Sequence, residues 1–241
     1  MAQFFPRWSN TLPLKLAICA GAAGVLVSMA VPYYFTPKYT RVGYEPTQPV
    51  PFDHNLHAGQ LGMDCRYCHS FVEKSPHSNI PTTQVCMNCH KLVQKENPKL
   101  EPVRQSYQTG EPIRWVKIHH PPDYVYFDHS AHVNRGVSCA SCHGKVNEMK
   151  VVRHDQPHSM GWCLDCHRAP ETALRPLDQV TNLNWKPEDL TRDDFYSYLS
   201  SIGGEVPEEH PDGDLTQEEV GMALKKALGI NPPEHCAGCH R

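Results

Sequence analysis

Hydrophobic positions are distributed very unevenly along this chain. Residues 16–35, LAICAGAAGVLVSMAVPYYF, contain no charged residue, and a helix of about 20 apolar residues spans the hydrocarbon core of a membrane. Arg7 and Lys15 precede this stretch, which by the positive-inside rule keeps the N-terminus in the cytoplasm. The pattern predicts a transmembrane anchor over residues 16–35, after a cytoplasmic segment of residues 1–15. A cleaved signal peptide is the alternative, but the apolar run is long and no Ala-x-Ala site follows it.

Beyond the anchor, a helical pattern is clear only near the C-terminus. Thr216-Gln-Glu-Glu219 has the spacing of a capping box. Apolar residues then recur on one helical face until Gly229, namely Val220, Leu224, Ala227 and Leu228. Elsewhere the 22 prolines favour short helices, turns and extended segments with little strand. The predicted fold class is therefore mainly α and irregular, with one N-terminal transmembrane helix.

The composition shows that this chain has too few apolar residues for a large conventional hydrophobic core. Apolar residues make up 39% of the 241 residues, and part of them lie in the anchor. Chains that are short of apolar core rely on covalent or metal staples. Eleven cysteines are present, so the cysteines are the residues whose chemistry needs explaining.

Ten of the eleven cysteines form five Cys-x-x-Cys-His motifs. This pattern is typical of c-type haem attachment, in which two thiols form thioethers with the porphyrin and the histidine binds the iron. The predicted attachment residues are Cys65, Cys68, Cys86, Cys89, Cys139, Cys142, Cys163, Cys166, Cys236 and Cys239. The predicted proximal iron ligands are His69, His90, His143, His167 and His240. The sequence thus predicts five covalently bound haem c groups, around which the chain is wrapped.

Other uses of cysteine fit this pattern poorly. Redox dithiols, zinc sites and disulfide frameworks do not require a histidine after every second cysteine, whereas all five motifs have one. The eleventh cysteine, Cys19, lies alone in the apolar stretch. Ile18 before it is unsuited to lipoprotein cleavage, so Cys19 is interpreted as a small buried side chain.

An internal repeat organises the first four motifs. Phe52-Asp-His54-Asn-Leu-His57 precedes the first two, and Phe127-Asp-His129-Ser-Ala-His132 precedes the next two. Self-similarity of this kind indicates duplication of a two-haem module. Histidines three residues apart are neighbours on a helical turn, so each pair is suited to supply second axial ligands to two haems.

This arrangement resembles the small multihaem cytochromes of the c7 and c3 families. The resemblance implies that the first histidine of each pair binds the haem attached just downstream, and the second binds another haem of the cluster. His54 would then serve Cys65/Cys68, His57 would serve Cys86/Cys89, His129 would serve Cys139/Cys142, and His132 would serve Cys163/Cys166. For the fifth distal ligand, His119 and Met160 are the leading candidates, with His158, Met149 and His235 also competing.

Charge and motif spacing suggest the domain organisation. Residues 36–126 hold the first two-haem module and its connection, residues 127–170 hold the second module, and residues 171–241 hold an acidic helical segment and the fifth haem. Residues 171–235 carry fourteen acidic and five basic residues, whereas residues 1–170 carry twelve and seventeen. An acidic surface can steer a basic partner, and a merely solvated face is the alternative interpretation. We expect the porphyrins to form much of the apolar core.

Several stretches resemble one known subunit in particular. A single anchor, the paired Phe-Asp-His-x-x-His elements and the stretches CRYCH, CMNCH and SMGWCLDCHR are similar to the pentahaem cytochrome subunit of alternative complex III. The resemblance implies a bacterial inner-membrane complex that oxidises quinol, with an iron–sulfur subunit and polytopic membrane subunits. This chain would pass electrons through its periplasmic haem domain to a monohaem cytochrome c or a terminal oxidase. It would itself be an electron-transfer subunit rather than an enzyme, without a nucleic-acid partner.

Two other functions compete with this interpretation. A self-contained quinol dehydrogenase of the small tetrahaem type normally has haems close to its anchor, whereas here about thirty residues intervene. A multihaem reductase needs an open iron position, but eleven histidines lie outside the five motifs and no Cys-x-x-Cys-Lys variant occurs. Rapid carbon monoxide binding by one haem of the reduced protein would favour the reductase.

Overall fold

The computed structural model describes residues 6–35, 40–207 and 213–240. The chain divides into two compact units, Met1–Gly43 and Tyr44–Arg241. In the first unit a 3-10 turn, Arg7–Thr11, leads into helix α1, Leu12–Phe35. The helix begins before the predicted apolar run, since Pro13 lies in the first turn, where a missing backbone N–H costs little. Residues Trp8–Phe35 are long and apolar enough to cross a membrane, with a mean hydropathy of 2.0, and a signal sequence shares these properties.

The second unit consists of short helices joined by turns and extended segments. Its α-helices run from four to eleven residues. They are α2 Cys65–Cys68, α3 Thr83–His90, α4 Glu101–Thr109, α5 His129–Val133, α6 Cys139–His143, α7 Met160–Arg168, α8 Arg192–Ser201, α9 Gln217–Ala227 and α10 Cys236–Cys239. One π-helical turn spans Asn55–Gln60, and 3-10 turns span Pro98–Leu100, Val146–Glu148, Pro170–Thr172, Leu177–Gln179 and Pro187–Asp189.

Extended pairing is minimal in the described part of the chain. Only two isolated antiparallel bridges occur there, Val125 with His240 and Val137 with Leu174. The expectation of a mainly helical and irregular fold with little strand is confirmed.

Helix α9 forms at the predicted capping box. The Thr216 hydroxyl accepts a hydrogen bond from the Glu219 amide at 3.2 Å, and the Glu219 carboxylate accepts one from the Thr216 amide at 2.8 Å. This reciprocal pairing satisfies two backbone donors that the first helical turn leaves open. Val220 and Leu224 are fully buried on the inner face, and Gly229, just beyond the helix, adopts a left-handed φ of 60°. The predicted helix is therefore confirmed.

The largest hydrophobic cluster lies in the acidic C-terminal segment. It consists of Leu174, Trp185, Phe195, Tyr196, Leu215, Val220 and Leu224. Helix α9 approaches the Pro170–Thr172 turn so closely that a Cβ at Gly221 would overlap the Glu171 carbonyl. This segment thus builds a conventional core. Its apolar residues lie on inner helix faces while most of its carboxylates remain exposed.

A second, smaller cluster packs helix α3 against helix α4. Val50, Met87 and Val103 form its buried centre, with Leu100, Ile113 and Trp115 around them. Helix α4 ends at Gly110, which has a φ of 78°, a conformation that favours glycine. This packing fixes the position of the second Cys-x-x-Cys-His motif, which lies within α3.

Candidate haem sites

Each Cys-x-x-Cys-His motif forms a short helical turn. Cysteines three residues apart lie on the same side of such a turn. The following histidine stays on it, because its amide donates to the carbonyl of the first cysteine, at 2.8 Å for His69 and 2.9 Å for His240. Caps position several of these turns, as where Asp64 accepts from the Arg66 amide at 2.8 Å. All eleven cysteines are free thiols, so no disulfide competes for the motifs.

The two Phe-Asp-His-x-x-His elements have nearly the same geometry. The Phe52 ring lies 4.4 Å from the His57 ring and 4.7 Å from the His54 ring. In the second copy Phe127 lies 4.6 Å from His132 and 4.8 Å from His129. The first copy sits on a π-helical turn and the second on α5. The agreement in ring packing supports the duplication inferred from the sequence.

Three of the predicted ligand pairs face each other at one characteristic spacing. Two imidazoles that bind one metal ion from opposite sides, each about 2 Å from it, place their ring centroids roughly 6.3 Å apart. The His57 and His90 rings are 6.3 Å apart, those of His129 and His143 6.3 Å, and those of His132 and His167 6.1 Å. These are the pairs assigned to the second, third and fourth motifs.

The fourth predicted pair is His54 with His69, at the first motif. The pKa of His54 is lowered to about 4, first by burial and then by repulsion from the nearby His69 and His57 rings. His54 Nδ1 is buried without a hydrogen-bond partner. The structure therefore brings these two histidines into proximity and keeps His54 neutral, which is the state that binds iron.

Seven of the predicted ligands carry their proton on Nδ1, which leaves Nε2 available to bind iron. A carbonyl oxygen can only accept, so a ring Nδ1 bonded to one must carry the proton, and the neutral ring then presents Nε2 as its ligand atom. The proximal examples are His69 with Asn79 at 2.7 Å, His90 with Val93 at 3.0 Å, His167 with Pro233 at 2.7 Å and His240 with Tyr124 at 3.2 Å. The distal examples are His57 with Asp53 at 2.8 Å, His129 with Pro76 at 2.7 Å and His132 with Asp128 at 2.7 Å.

His143 has a different partner from the other proximal histidines. Its Nδ1 lies 3.4 Å from His119 Nε2. His154 and His158 complete a cluster, with their rings 5.1 and 5.6 Å from the His119 ring. Burial is the main cause that lowers the pKa of His119, to about 4, and that of His143. His119 thus lies behind a proximal ligand, a placement that no spacing in the sequence indicated; His154, only 4% exposed, gave no signal at all.

The fifth motif has no histidine of the described chain in ring contact with its proximal ligand. The ring beside His240 is that of Tyr124, at 5.6 Å and 30°. Met160, the other candidate, begins helix α7 and is 69% exposed. It lies one turn before Cys163, whose thiol interacts with that of Cys239 in the fifth motif. The structure therefore places His119 against His143 of the third motif and Met160 at the start of the helix that carries the fourth motif.

Electrostatic interactions between thiols link the first motif to both the second and the third. The Cys65 and Cys139 thiols interact with each other, and this interaction is the leading cause of a lowered pKa for Cys65 and a raised one for Cys139. Burial, followed by repulsion from Cys86, raises the pKa of Cys68. The first motif therefore lies between the second and the third, although it precedes both in the chain.

The remaining contacts extend the series in chain order. Burial and then the neighbouring thiols of Cys166 and Cys163 raise the pKa of Cys142 to about 12. Cys163 interacts in turn with Cys239, and His167 donates to the Pro233 carbonyl just before the fifth motif. These contacts link the motifs in the order second, first, third, fourth, fifth.

The residues present fit c-type haem better than the other uses of cysteine. The facing histidine pairs, the available Nε2 atoms and the free thiol pairs together match covalent attachment with two axial imidazoles. The described residues hold no cluster of three or more His, Cys, Asp or Glu side chains arranged for a metal ion.

Comparison with known proteins agrees with this chemistry. Residues 125–191 match the family model for cytochrome c7 and related cytochrome c. Over 130 residues the chain is 32% identical to a protein of Nitratidesulfovibrio vulgaris (strain Hildenborough) named "Menaquinone reductase, multiheme cytochrome c subunit"; the alignment covers 52% of this chain and 60% of that protein. The chain thus spans less than two thirds of that relative's length. Residues 125–191 are thus similar to a multihaem cytochrome c7 domain, a type of domain that holds c-type haem covalently.

Proposed function

We propose that this chain is the electron-transfer subunit of a membrane quinone oxidoreductase and carries five covalent haem c groups. The observation that carries the proposal is the set of three histidine pairs at 6.1–6.3 Å, each pairing a motif histidine with one of the Phe-Asp-His-x-x-His elements. Two axial imidazoles suit outer-sphere electron transfer, because they leave the iron no open position for a substrate. The chain needs no general acid, base or nucleophile for this role.

The proposed ligands follow the sequence assignment. His54, His57, His129 and His132 would be the distal ligands of the first four motifs, facing His69, His90, His143 and His167 respectively. For the haem held by Cys236, Cys239 and His240, we favour Met160 over His119, since His119 is engaged by His143. A methionine ligand would raise the potential of that haem relative to the others.

The protein's contribution is to fix ligands and spacing. When bound, c-type haem supplies a reversible one-electron couple. Asp128 caps α5 by accepting from the Ser130 amide at 2.8 Å, which fixes the turn that presents His129 and His132 to two neighbouring sites. The Nδ1 hydrogen bonds to backbone carbonyls hold seven of these imidazoles in one orientation and increase their basicity. With the motif contacts, these features support an electron path whose ends are the second and fifth motifs.

We place the haem domain in the periplasm of a bacterium, with α1 as an inner-membrane anchor. The helix is long and apolar enough to cross a membrane, basic residues precede the apolar run, and c-type haem is attached after export. By the resemblance described above, the partners would be an iron–sulfur subunit and polytopic membrane subunits, with a monohaem cytochrome c or terminal oxidase as acceptor.

The direction of electron flow separates two candidate complexes. Resemblance to the alternative complex III subunit favours quinol oxidation, with electrons leaving toward a cytochrome c or an oxidase. The name of the Nitratidesulfovibrio relative favours the opposite direction, with electrons delivered to menaquinone. Both place this chain between a membrane quinone site and a periplasmic redox partner, and we favour the first.

Purification of the native complex from membranes tests the assignment to a complex. We expect polytopic and iron–sulfur subunits to copurify, and menaquinol to drive steady-state reduction of added cytochrome c. Turnover only from a reduced cytochrome to menaquinone would overturn the direction. A chain that purifies alone, yet oxidises quinol, would overturn the subunit role itself.

Loss of the third attachment site tests the path within the chain. In Cys139→Ala/Cys142→Ala, mass spectrometry should find four haems, and electron transfer between the two ends should fall by more than tenfold. The matched variant Cys236→Ala/Cys239→Ala removes a terminal haem and should leave exchange among the other four intact. Equal effects of the two variants on internal transfer would contradict the proposed order.

A further inference from the structure

A stretch of the acidic segment covers the junction between the first and third motifs. The Val180 carbonyl accepts from the Ser138 hydroxyl at 3.0 Å and from the Cys139 amide at 3.4 Å. The next residue, Thr181, donates its hydroxyl to the Asp64 carboxylate at 2.9 Å. Residues 174–185 therefore contact the turns that carry Cys65 and Cys139.

A glycine permits the close approach of this stretch. The Arg175 amide donates to the Gly136 carbonyl at 3.0 Å. Gly136 has a φ of 83°, and a Cβ there would overlap the Arg175 carbonyl oxygen. The backbone carrying Arg175 is thus held against the link between α5 and α6, immediately before the third motif.

The Arg175 side chain is half-buried beside this junction. Its Nη1 donates to the Asn182 carbonyl at 2.9 Å, and its guanidinium carbon lies 5.0 Å from the centre of the Trp185 ring. Its Nε is buried without a hydrogen-bond partner, as is Trp185 Nε1. Burial is the main cause that lowers the pKa of Arg175, and the guanidinium is near enough to Cys139 for the two side chains to interact electrostatically when Cys139 is ionised. Arginine remains charged even so, so a cation lies close to Cys139.

Arg175 has no acidic ion-pair partner in the described part of the chain, whereas three other arginines each have one. Arg66, Arg168 and Arg192 form ion pairs with Glu73, Glu234 and Glu219 at 3.2, 3.5 and 3.2 Å. Among the described residues, no carboxylate lies within ion-pair distance of Arg175. Its charge is therefore not cancelled locally, and half-burial weakens the screening by water.

We propose that Arg175 is a positioning residue that raises the reduction potential of the haem attached at Cys139 and Cys142, and to a smaller extent that of the haem at Cys65 and Cys68. Oxidation of a haem adds one positive charge, which an uncompensated nearby cation disfavours. The haem-free segment would thereby set the potential at the middle of the electron path. This inference rests on the proposed attachment of haem to the motifs.

Redox titration of three full-length variants tests the inference. Whole-protein mass spectrometry first establishes the number of haems, which tests the proposed function separately. For Arg175→Gln we expect one midpoint to fall, so that the ferrous-to-ferric ratio of that haem at fixed potential drops about tenfold, or about 59 mV. A second midpoint should fall less, and the others should stay in place. Arg175→Lys keeps the charge and should titrate like the wild-type protein.

Arg192→Gln is the matched control, because it removes an arginine of the same segment that Glu219 already neutralises. It should leave all midpoints unchanged. Equal shifts in Arg175→Gln and Arg192→Gln, or no shift in a fully loaded Arg175→Gln, would overturn the proposal. If Arg175→Gln does not fold, Arg175→Lys decides: a lowered midpoint in that variant would show that the charge is not the cause.

Discussion

The haem-binding residues 44–170 and the segment 171–230 reach order by different means. Ten of the fifteen buried apolar residues of the described chain lie between Leu174 and Leu224. The longer part, residues 44–170, contains the other five. Four of its six α-helices carry a Cys-x-x-Cys-His motif, and none is longer than nine residues. We therefore expect the first region to depend on haem for apolar contacts beyond the small cluster around Met87, whereas the second has a core of its own.

The two regions are nevertheless joined near the first and third motifs, at the middle of the proposed electron path. The bonds from Val180 and Thr181 to the first and third motifs mean that the ordered segment contacts the cofactor-dependent one at its centre. A stable segment in this place can hold two haem-attachment turns at a fixed spacing. The comparison thus predicts that the two regions respond differently to loss of haem and to loss of core.

Producing the full chain without haem attachment should have the largest effect. We expect residues 44–170, outside the packed helices α3 and α4, to lose most of their hydrogen-exchange protection, because the apolar contacts with haem are missing. Helices α8 and α9 should keep opening free energies of about 3 kcal/mol or more. Hydrogen exchange followed by mass spectrometry measures both regions in one sample, with the haem-loaded protein as reference. Equal loss of protection in the two regions would contradict the comparison.

Truncation within the C-terminal core should have the next largest effect. Phe195 is 1% exposed, and Phe195→Ala should lower the free energy of unfolding of this segment by about 3–5 kcal/mol. Met222, 53% exposed on α9, provides the control: Met222→Ala should cost less than about 0.5 kcal/mol. Denaturant titration followed by tryptophan fluorescence reports the segment, and haem absorption reports the rest. We expect the haem spectra to persist at denaturant concentrations that unfold the segment.

The sequence predicted the chemistry of the sites but not how the sites are arranged in space. Spacing alone was enough to predict the attachment motifs and the α9 capping box, because a motif or a cap involves residues within one or two turns; the structure confirms the capping box. The interaction between Cys65 and Cys139 joins residues far apart in the chain, and no local pattern encodes it. The spatial order of the motifs therefore could not be obtained from the sequence.

The acidic composition of residues 171–235 gave no indication of the core that they form. Fourteen acidic residues in 171–235 suggested a solvated surface, yet charged and apolar residues alternate there with helical spacing. Phe195 and Leu199, one turn apart on α8, are both buried, although Arg192, Asp193 and Asp194 precede them. The placement of His119 behind His143 was equally hidden, since it depends on a loop that reaches back to α6.

The smallest expected effect concerns the bond that joins the two regions. The Asp64 carboxylate accepts from Arg66 Nε at 2.9 Å and from the Thr181 hydroxyl at 2.9 Å. The side-chain hydrogen bond from Arg66 is the main cause that lowers the pKa of Asp64 to about 2. Because Asp64 and Arg66 are largely exposed, water screens their attraction, and Asp64→Asn should cost only about 1 kcal/mol.

The pH dependence of that cost has a definite sign. A carboxyl group whose pKa is lower in the folded state stabilises the fold above its unfolded pKa of 3.8 and loses that contribution as the pH falls toward about 2. The difference in unfolding free energy between the wild-type protein and Asp64→Asn should therefore be constant above about pH 5 and shrink on acidification. A double-mutant cycle with Thr181→Val isolates the bond between the regions; a coupling energy near zero would mean that other contacts hold the regions together.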